Sequence, residues 1–366
     1  MVSDGRRIRG KGEARRLLAA AILYAAGAGC VHPDASGHAE QGAPARFATQ
    51  PIPTVPDRCP YNHSASIVQT ASGDLLTAWG AGSRELGPDT VILLSRKTAG
   101  QDEWSPPIIV ADKPDDADAN PVLFVDDLGG LWLFHVEMFG GEFCLGRVVV
   151  QRSENDGLTW TKPEVALDAI CTMVRNKPII LGDGQWLLPA YQQAIFQSQF
   201  WLSGDRGRSW RPTPPLYTAA DNNLQPAVVE LSDGSLLAMM RSGGNARQTW
   251  EGRSTDAGLT WKLRQRPDLP NPNSGLDMIR LATGELLLVY NPSRADRTPL
   301  AVSYSTDDGR TWSSPITIAN GKPQLSYPCV IQDRAGIVHV VFSHRLTHIE
   351  HVTFDRAWLV TPRRPP

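Results

Sequence analysis

The 366-residue chain carries little charge, and that charge is even-handed. Charged residues make up 20%, and 36 Lys and Arg against 38 Asp and Glu leave a formal net charge of −2. A basic footprint for nucleic acid and an acidic solvating tail are both excluded. Beyond the N-terminal segment no apolar run is long enough to span a bilayer, and no long stretch has helical periodicity. The Gly-Gly pairs at 129–130, 140–141 and 243–244 lack the Lys-Ser/Thr or strand–helix context of a phosphate loop, so no cofactor is expected. His135, His344, His348 and His351 form no H-E-x-x-H motif and have no cysteine pair beside them, so no metal site is expected either. What the chain does have is punctuation: 32 Gly, 29 Pro and 11 Trp. Turn formers spread along the whole length point to many short strands in an all-β fold.

The first residues read as an export signal. Five arginines and one lysine lie between Arg6 and Arg16, followed by an apolar stretch from Leu17 to Ala28, then Gly29 and Cys30. Cys30 after Ala-Gly-Ala-Gly resembles a bacterial lipoprotein cleavage site, with Gly27 where an aliphatic residue is usual. Plain secretion and a lipid anchor both stand, so residues 1–30 are expected to send the protein to the periplasm, the medium or the cell envelope. Any membrane contact would run through Cys30 alone. Residues 31–57, rich in Pro, Ala and Gly, are expected to be a flexible tether. Cys59, Cys144, Cys171 and Cys329 remain, as three alternative pairings or as buried free thiols.

The rest of the chain repeats. SENDGLTW (153–160), SGDRGRSW (203–210), STDAGLTW (254–261) and STDDGRTW (305–312) share one pattern, and a degenerate copy runs from Ser95 to Trp104. A second motif, a glycine turn after an apolar run, recurs at Gly73, Gly130, Gly184, Gly234, Gly284 and Gly336. Six units of about 50 residues, each with roughly four antiparallel strands, predict a six-bladed β-propeller over residues 58–360. The octapeptide acids Asp205, Asp256 and Asp307 are expected to hold turns, because the same turn repeated around a ring cannot converge on one substrate. The residues just before each inner strand should instead meet at one mouth of the central channel. They are Asn62 and His63; Asp118 and Asn120; Arg175, Asn176 and Lys177; Asn223 and Gln225; Asn273, Ser274 and Asp277; and Ser326 and Tyr327. Such a ring suits a hydroxyl-rich or anionic ligand.

The S-x-D-x-G-x-T-W octapeptide is the Asp-box of sialidases, and with six blades the chain resembles a bacterial sialidase-type propeller. The resemblance implies an arginine carboxylate clamp, an aspartate acid/base and a tyrosine nucleophile. Arg241, ending the strand SLLAMMR, matches the family's second arginine, and Arg297 the third, with Arg294 as rival. Tyr327 matches the nucleophile, and Asp89 the acid/base, with Glu85 second. Two positions depart: His63 stands for the first arginine, and Gln225 for the glutamate that activates the tyrosine. A neutral amide cannot take a proton from a phenol. Lys177, Asn176, Asn120, Asn273 and Asp277 are expected to bind substrate.

The leading expectation is an exo-glycoside hydrolase, acting as a monomer on a terminal acidic sugar of a glycan. A uronate-directed lyase with His63 and Tyr327 as base and acid is the second, and a carbohydrate-binding propeller without turnover the third.

Overall fold

The computed structural model describes residues 46–218 and 221–361. The expected export signal and Cys30 lie outside them. Six antiparallel sheets form a six-bladed β-propeller. The innermost strands are Tyr61–Gln69, Ala117–Val125, Thr172–Val174 continued by Ile179–Ile180, Asn223–Glu230, Asp277–Arg280 and Leu325–Gln332. Blades one to five each run outward through three further consecutive strands.

The sixth blade is completed differently. Its outermost strand is Phe47–Pro51, which pairs antiparallel with His348–Phe354. The tether expected over 31–57 is therefore corrected at these residues, where N-terminal chain closes the ring. Alternation is weak in FATQP, so the pairing partner and not the pattern makes it a strand.

The Asp-box turns behave as their composition dictates. In the third blade Ser203 Oγ accepts the N–H of Gly207 at 2.8 Å, while Asp205 accepts from the N–H and Oγ of Ser209 at 2.9 and 2.6 Å. These bonds hold the Asp205 carboxyl down at about 2. The closing tryptophans reach past their own hairpins to the preceding blade. Trp261 stacks on Phe200 of blade three at 4.5 Å, and Trp210 meets Phe134 of blade two edge-on at 6.1 Å. The repeat is thus also the seam between neighbours.

Among the described residues the cysteines resolve into one disulfide, Cys144–Cys171, and two buried free thiols, Cys59 and Cys329.

Candidate active site

Four inner strands share one local distortion. Their pairing slips between His63 and Ser66, Ala119 and Val122, Leu224 and Ala227, and Ser326 and Cys329. At each slip one non-glycine residue is left-handed: Ser64 (φ 64°), Asn120 (49°), Gln225 (53°) and Tyr327 (55°). Proline follows the last three, at 121, 226 and 328, and supplies no N–H for a regular ladder. Such backbone costs about 1–3 kcal/mol per residue and persists where surroundings enforce it, usually at functional sites. A bulge re-aims a side chain.

The re-aimed side chains touch one another. Ser64 Oγ donates to Asn120 Oδ1 at 3.0 Å, and Asn120 Nδ2 donates to Tyr191 Oη at 3.3 Å. Gln225 Nε2 donates to Tyr191 Oη at 3.4 Å and to Tyr327 Oη at 3.2 Å. Arg241 Nη1 donates to Tyr327 Oη at 2.7 Å and to Gln225 Oε1 at 3.0 Å, while its Nε donates to Asn273 Oδ1 at 2.6 Å. Arg297 Nη2 donates to the Asn273 carbonyl at 2.9 Å. Groups from blades one, two, three, four and six, with the loops that frame blade five, therefore meet in one polar pit.

The pit is positively charged. Guanidinium carbons of Arg175, Arg297 and Arg241 lie 5.2, 5.7 and 5.8 Å from the centre of the Tyr327 ring. Burial pushes the Tyr327 phenol up, but Arg241, Arg297 and the Gln225 N–H outweigh it and leave the group below the usual tyrosine value. The His63 ring sits 4.2 Å from that of Tyr327. Burial first, then Arg175, Arg297 and Arg241, holds His63 well below the usual imidazole value, so it is neutral.

The structure corrects several sequence expectations. Asp89 is committed to its own loop, accepting from the N–H of Ser83 at 2.9 Å and its Oγ at 2.8 Å. Glu85 is the loop carboxylate that reaches the site. It borders a recess with Tyr61, His63 and Asn120, and its charge acts on Tyr61, Arg297 and Tyr327. Lys177 and Asp277 are not free to bind substrate, because they pair with each other at 2.6 Å. They line a cavity that runs to Glu230 and Arg280, at the other ends of the inner strands of blades four and five. Asn176 is a strut whose Nδ2 donates to the carbonyls of Gln225 and Leu276 at 3.1 and 3.2 Å. Asn273 reaches the site through the two arginines it holds. Arg294 donates to the carbonyls of Ala246 and Pro267, away from the pit, which leaves Arg297 as the site arginine.

Sequence reasoning placed Arg175 in the ring of mouth residues without a specific role, and it passed over Tyr191. Arg175 Nη2 donates to the carbonyls of Tyr327 and Pro328 at 2.6 and 3.1 Å, bringing a third guanidinium to the site from blade three. A signal for Tyr191 existed. It stands 50 residues before Arg241, one repeat length, at the same register of the second strand (Trp186–Gln192 against Leu236–Ser242).

Residues 73–340 match the BNR repeat-like domain family. The chain belongs to that family. Over 137 residues it is 30% identical to the anhydrosialidase of the leech Macrobdella decora, a stretch that is 33% of this chain and only 17% of that relative's length. Among solved structures it resembles the Hadza microbial sialidase Hz136, with a TM-score of 0.72 and 19% identity over 82% of this chain and 66% of that one. It also resembles a protein of unknown function from Dyadobacter fermentans, with a TM-score of 0.71 and 17% identity over 85% of this chain and 99% of that one. Identities this low establish the propeller and leave the chemistry of this BNR-repeat protein to its own pit.

Proposed function

We propose that this protein is an exo-glycoside hydrolase acting on a terminal sugar that carries a carboxylate. The observation behind the reading is the pit's charge. Three guanidinium groups crowd Tyr327, and the Glu85 carboxylate acts on that phenol from the rim. Arg175 is buried and Arg241 and Arg297 are half-buried, and cations crowded into such a site favour an anionic ligand. Arg241 and Arg297 are set to hold the sugar carboxylate, Tyr327 to attack the anomeric carbon and Glu85 to protonate the departing oxygen. Water then attacks that carbon, Glu85 takes its proton back, and Tyr327 leaves as phenolate. Export suits this reading, because the Cys144–Cys171 disulfide belongs in an oxidising compartment.

Fluorogenic sialosides and uronides test it. Wild type should release fluorophore from at least one of them, and Tyr327→Phe should not. Arg241→Ala should lower kcat/KM about 10- to 100-fold, the worth of a charged contact of about 1.5–3 kcal/mol. No release from any acidic glycoside would sink the hydrolase. One feature favours a second reading: neutral His63 against Tyr327, with an amide at position 225, also suits proton abstraction from a uronate and β-elimination. An ultraviolet-absorbing unsaturated product from uronic acid polymers would mark that route.

A further inference from the structure

Among the hydrogen bonds of the described residues, Tyr327 Oη meets donors only. Arg241 Nη1 points at it from 2.7 Å and Gln225 Nε2 from 3.2 Å. The Gln225 amide is locked in that sense, because its Oε1 accepts from the same Arg241 Nη1 at 3.0 Å. Turning the amide over would set its N–H group against a guanidinium. The charged and titratable groups around the phenol agree with this arrangement. Arg175, Arg241 and Arg297 face its ring, His63 beside it is neutral, and Glu85 opposes ionisation from the rim. Tyr61 and Tyr191, by contrast, are pushed up by burial, Tyr191 to about 12.

We propose that Tyr327 ionises without a general base, its proton leaving to solvent, and that Gln225 is the positioning residue that holds the phenolate by donating to it. A carboxylate at 225 would accept a hydrogen bond from the neutral phenol and oppose its ionisation. An amide there instead adds a donor to an oxygen already facing a guanidinium. Where a substrate is bound, phenolate Oη bonds to the anomeric carbon as the bond to the leaving oxygen breaks, and the leaving oxygen takes its proton from Glu85. The inference rests on Tyr327 as the nucleophile, yet the ionisation itself is read with no substrate present.

The test is an ultraviolet difference titration of the exported chain, following tyrosinate absorbance. Wild type should show a one-tyrosine wave below the pH near 10 at which free tyrosine ionises, and Tyr327→Phe should lack it. Gln225→Glu, which places a negative charge against the oxygen, should move the wave up by about one pH unit or more. Gln225→Leu, which removes one donor and adds no charge, should move it up by less. Identical titrations of wild type and Tyr327→Phe below pH 10 would overturn the ionisation. An unmoved wave in Gln225→Glu would overturn the role of Gln225. Loss of glycoside turnover with the wave intact would count against the hydrolase and leave the ionisation standing.

Discussion

At the scale of single residues, the sharpest question for the proposed hydrolase is which carboxylate in the first-blade loop would deliver the proton. Asp89 spends both oxygens on Ser83, whereas Glu85 borders the recess and biases Tyr327. Glu85→Gln should therefore lower kcat about 10²- to 10⁴-fold on glycosides with poor leaving groups, the usual worth of general acid catalysis. Activated aryl glycosides, whose leaving oxygen needs no proton, should be largely spared. Asp89→Asn should leave both rates close to wild type, and the reverse pattern would return the role to Asp89. The distinction was not legible in the sequence, because a loop of eight residues, Ser83 to Thr90, can turn either side chain inward. Depth was hidden for a similar reason. Lys177 and Asp277 stand in the same stretch of their repeats as Tyr327, yet they meet each other inside the channel. A one-dimensional register gives the strand that a residue starts, but not how far along the axis its side chain travels. Tyr327, Arg241 and Gln225 were legible because X-Pro pairs and a strand-ending arginine fix both register and face.

At the scale of the element, the repeat was readable because its parts have local jobs. Each Asp-box turn needs a left-handed pair, such as Asp308 and Gly309 at φ 59° and 77°. Only glycine fits the second place here, since a Cβ on Gly309 would lie 2.6 Å from a methyl of Leu237 in the preceding blade. Gly309→Ala should cost about 1–3 kcal/mol through this overpacking and the strained φ, read as a lower midpoint in denaturant with the slope unchanged. Unchanged stability would mean that the blade seam is loose. The sequence pattern did not carry the partner of that turn. The octapeptide gives a hairpin and its tryptophan, but the strand it leans on lies a whole repeat earlier, as with Trp261 on Phe200. The same omission hid the closing strand, since nothing in FATQP marks it as the edge of the last blade.

At the scale of the whole molecule, a ring must be shut somewhere, and here the seam between blades six and one carries a buried chain of histidines. Trp104, the tryptophan of the degenerate fifth octapeptide, donates its Nε1–H to His351 Nδ1 at 3.3 Å. That fixes the proton of His351 on Nε2, which donates to His339 Nδ1 at 3.0 Å. His339 must then carry its proton on Nε2 and donates to Asp333 Oδ2 at 3.2 Å. Both imidazoles are neutral in this chain, and an added proton would set two N–H groups against each other. Burial holds both below the usual histidine value. Asp333 pulls His339 back up and Lys97 opposes it, while the His339 ring and Lys97 add to burial at His351. With the folded pKa depressed, the unfolded chain binds more protons below about pH 6.5, so stability is complete above that pH and falls as the solution is acidified. The slope should be about 1.4 kcal/mol per pH unit for each such histidine. The closing strand shares the seam, since Gln50 pairs with His351 and donates to the Asp102 carbonyl at 3.1 Å. Calorimetry between pH 8 and pH 5 should therefore show an acid-weakened fold in wild type. His351→Gln keeps a donor and an acceptor without a titrating ring, and it should flatten that slope by about one histidine's share. An equally steep fall in His351→Gln would move the acid sensitivity elsewhere, first to His63, whose imidazole is held neutral in the pit by burial and the same arginines that hold Tyr327.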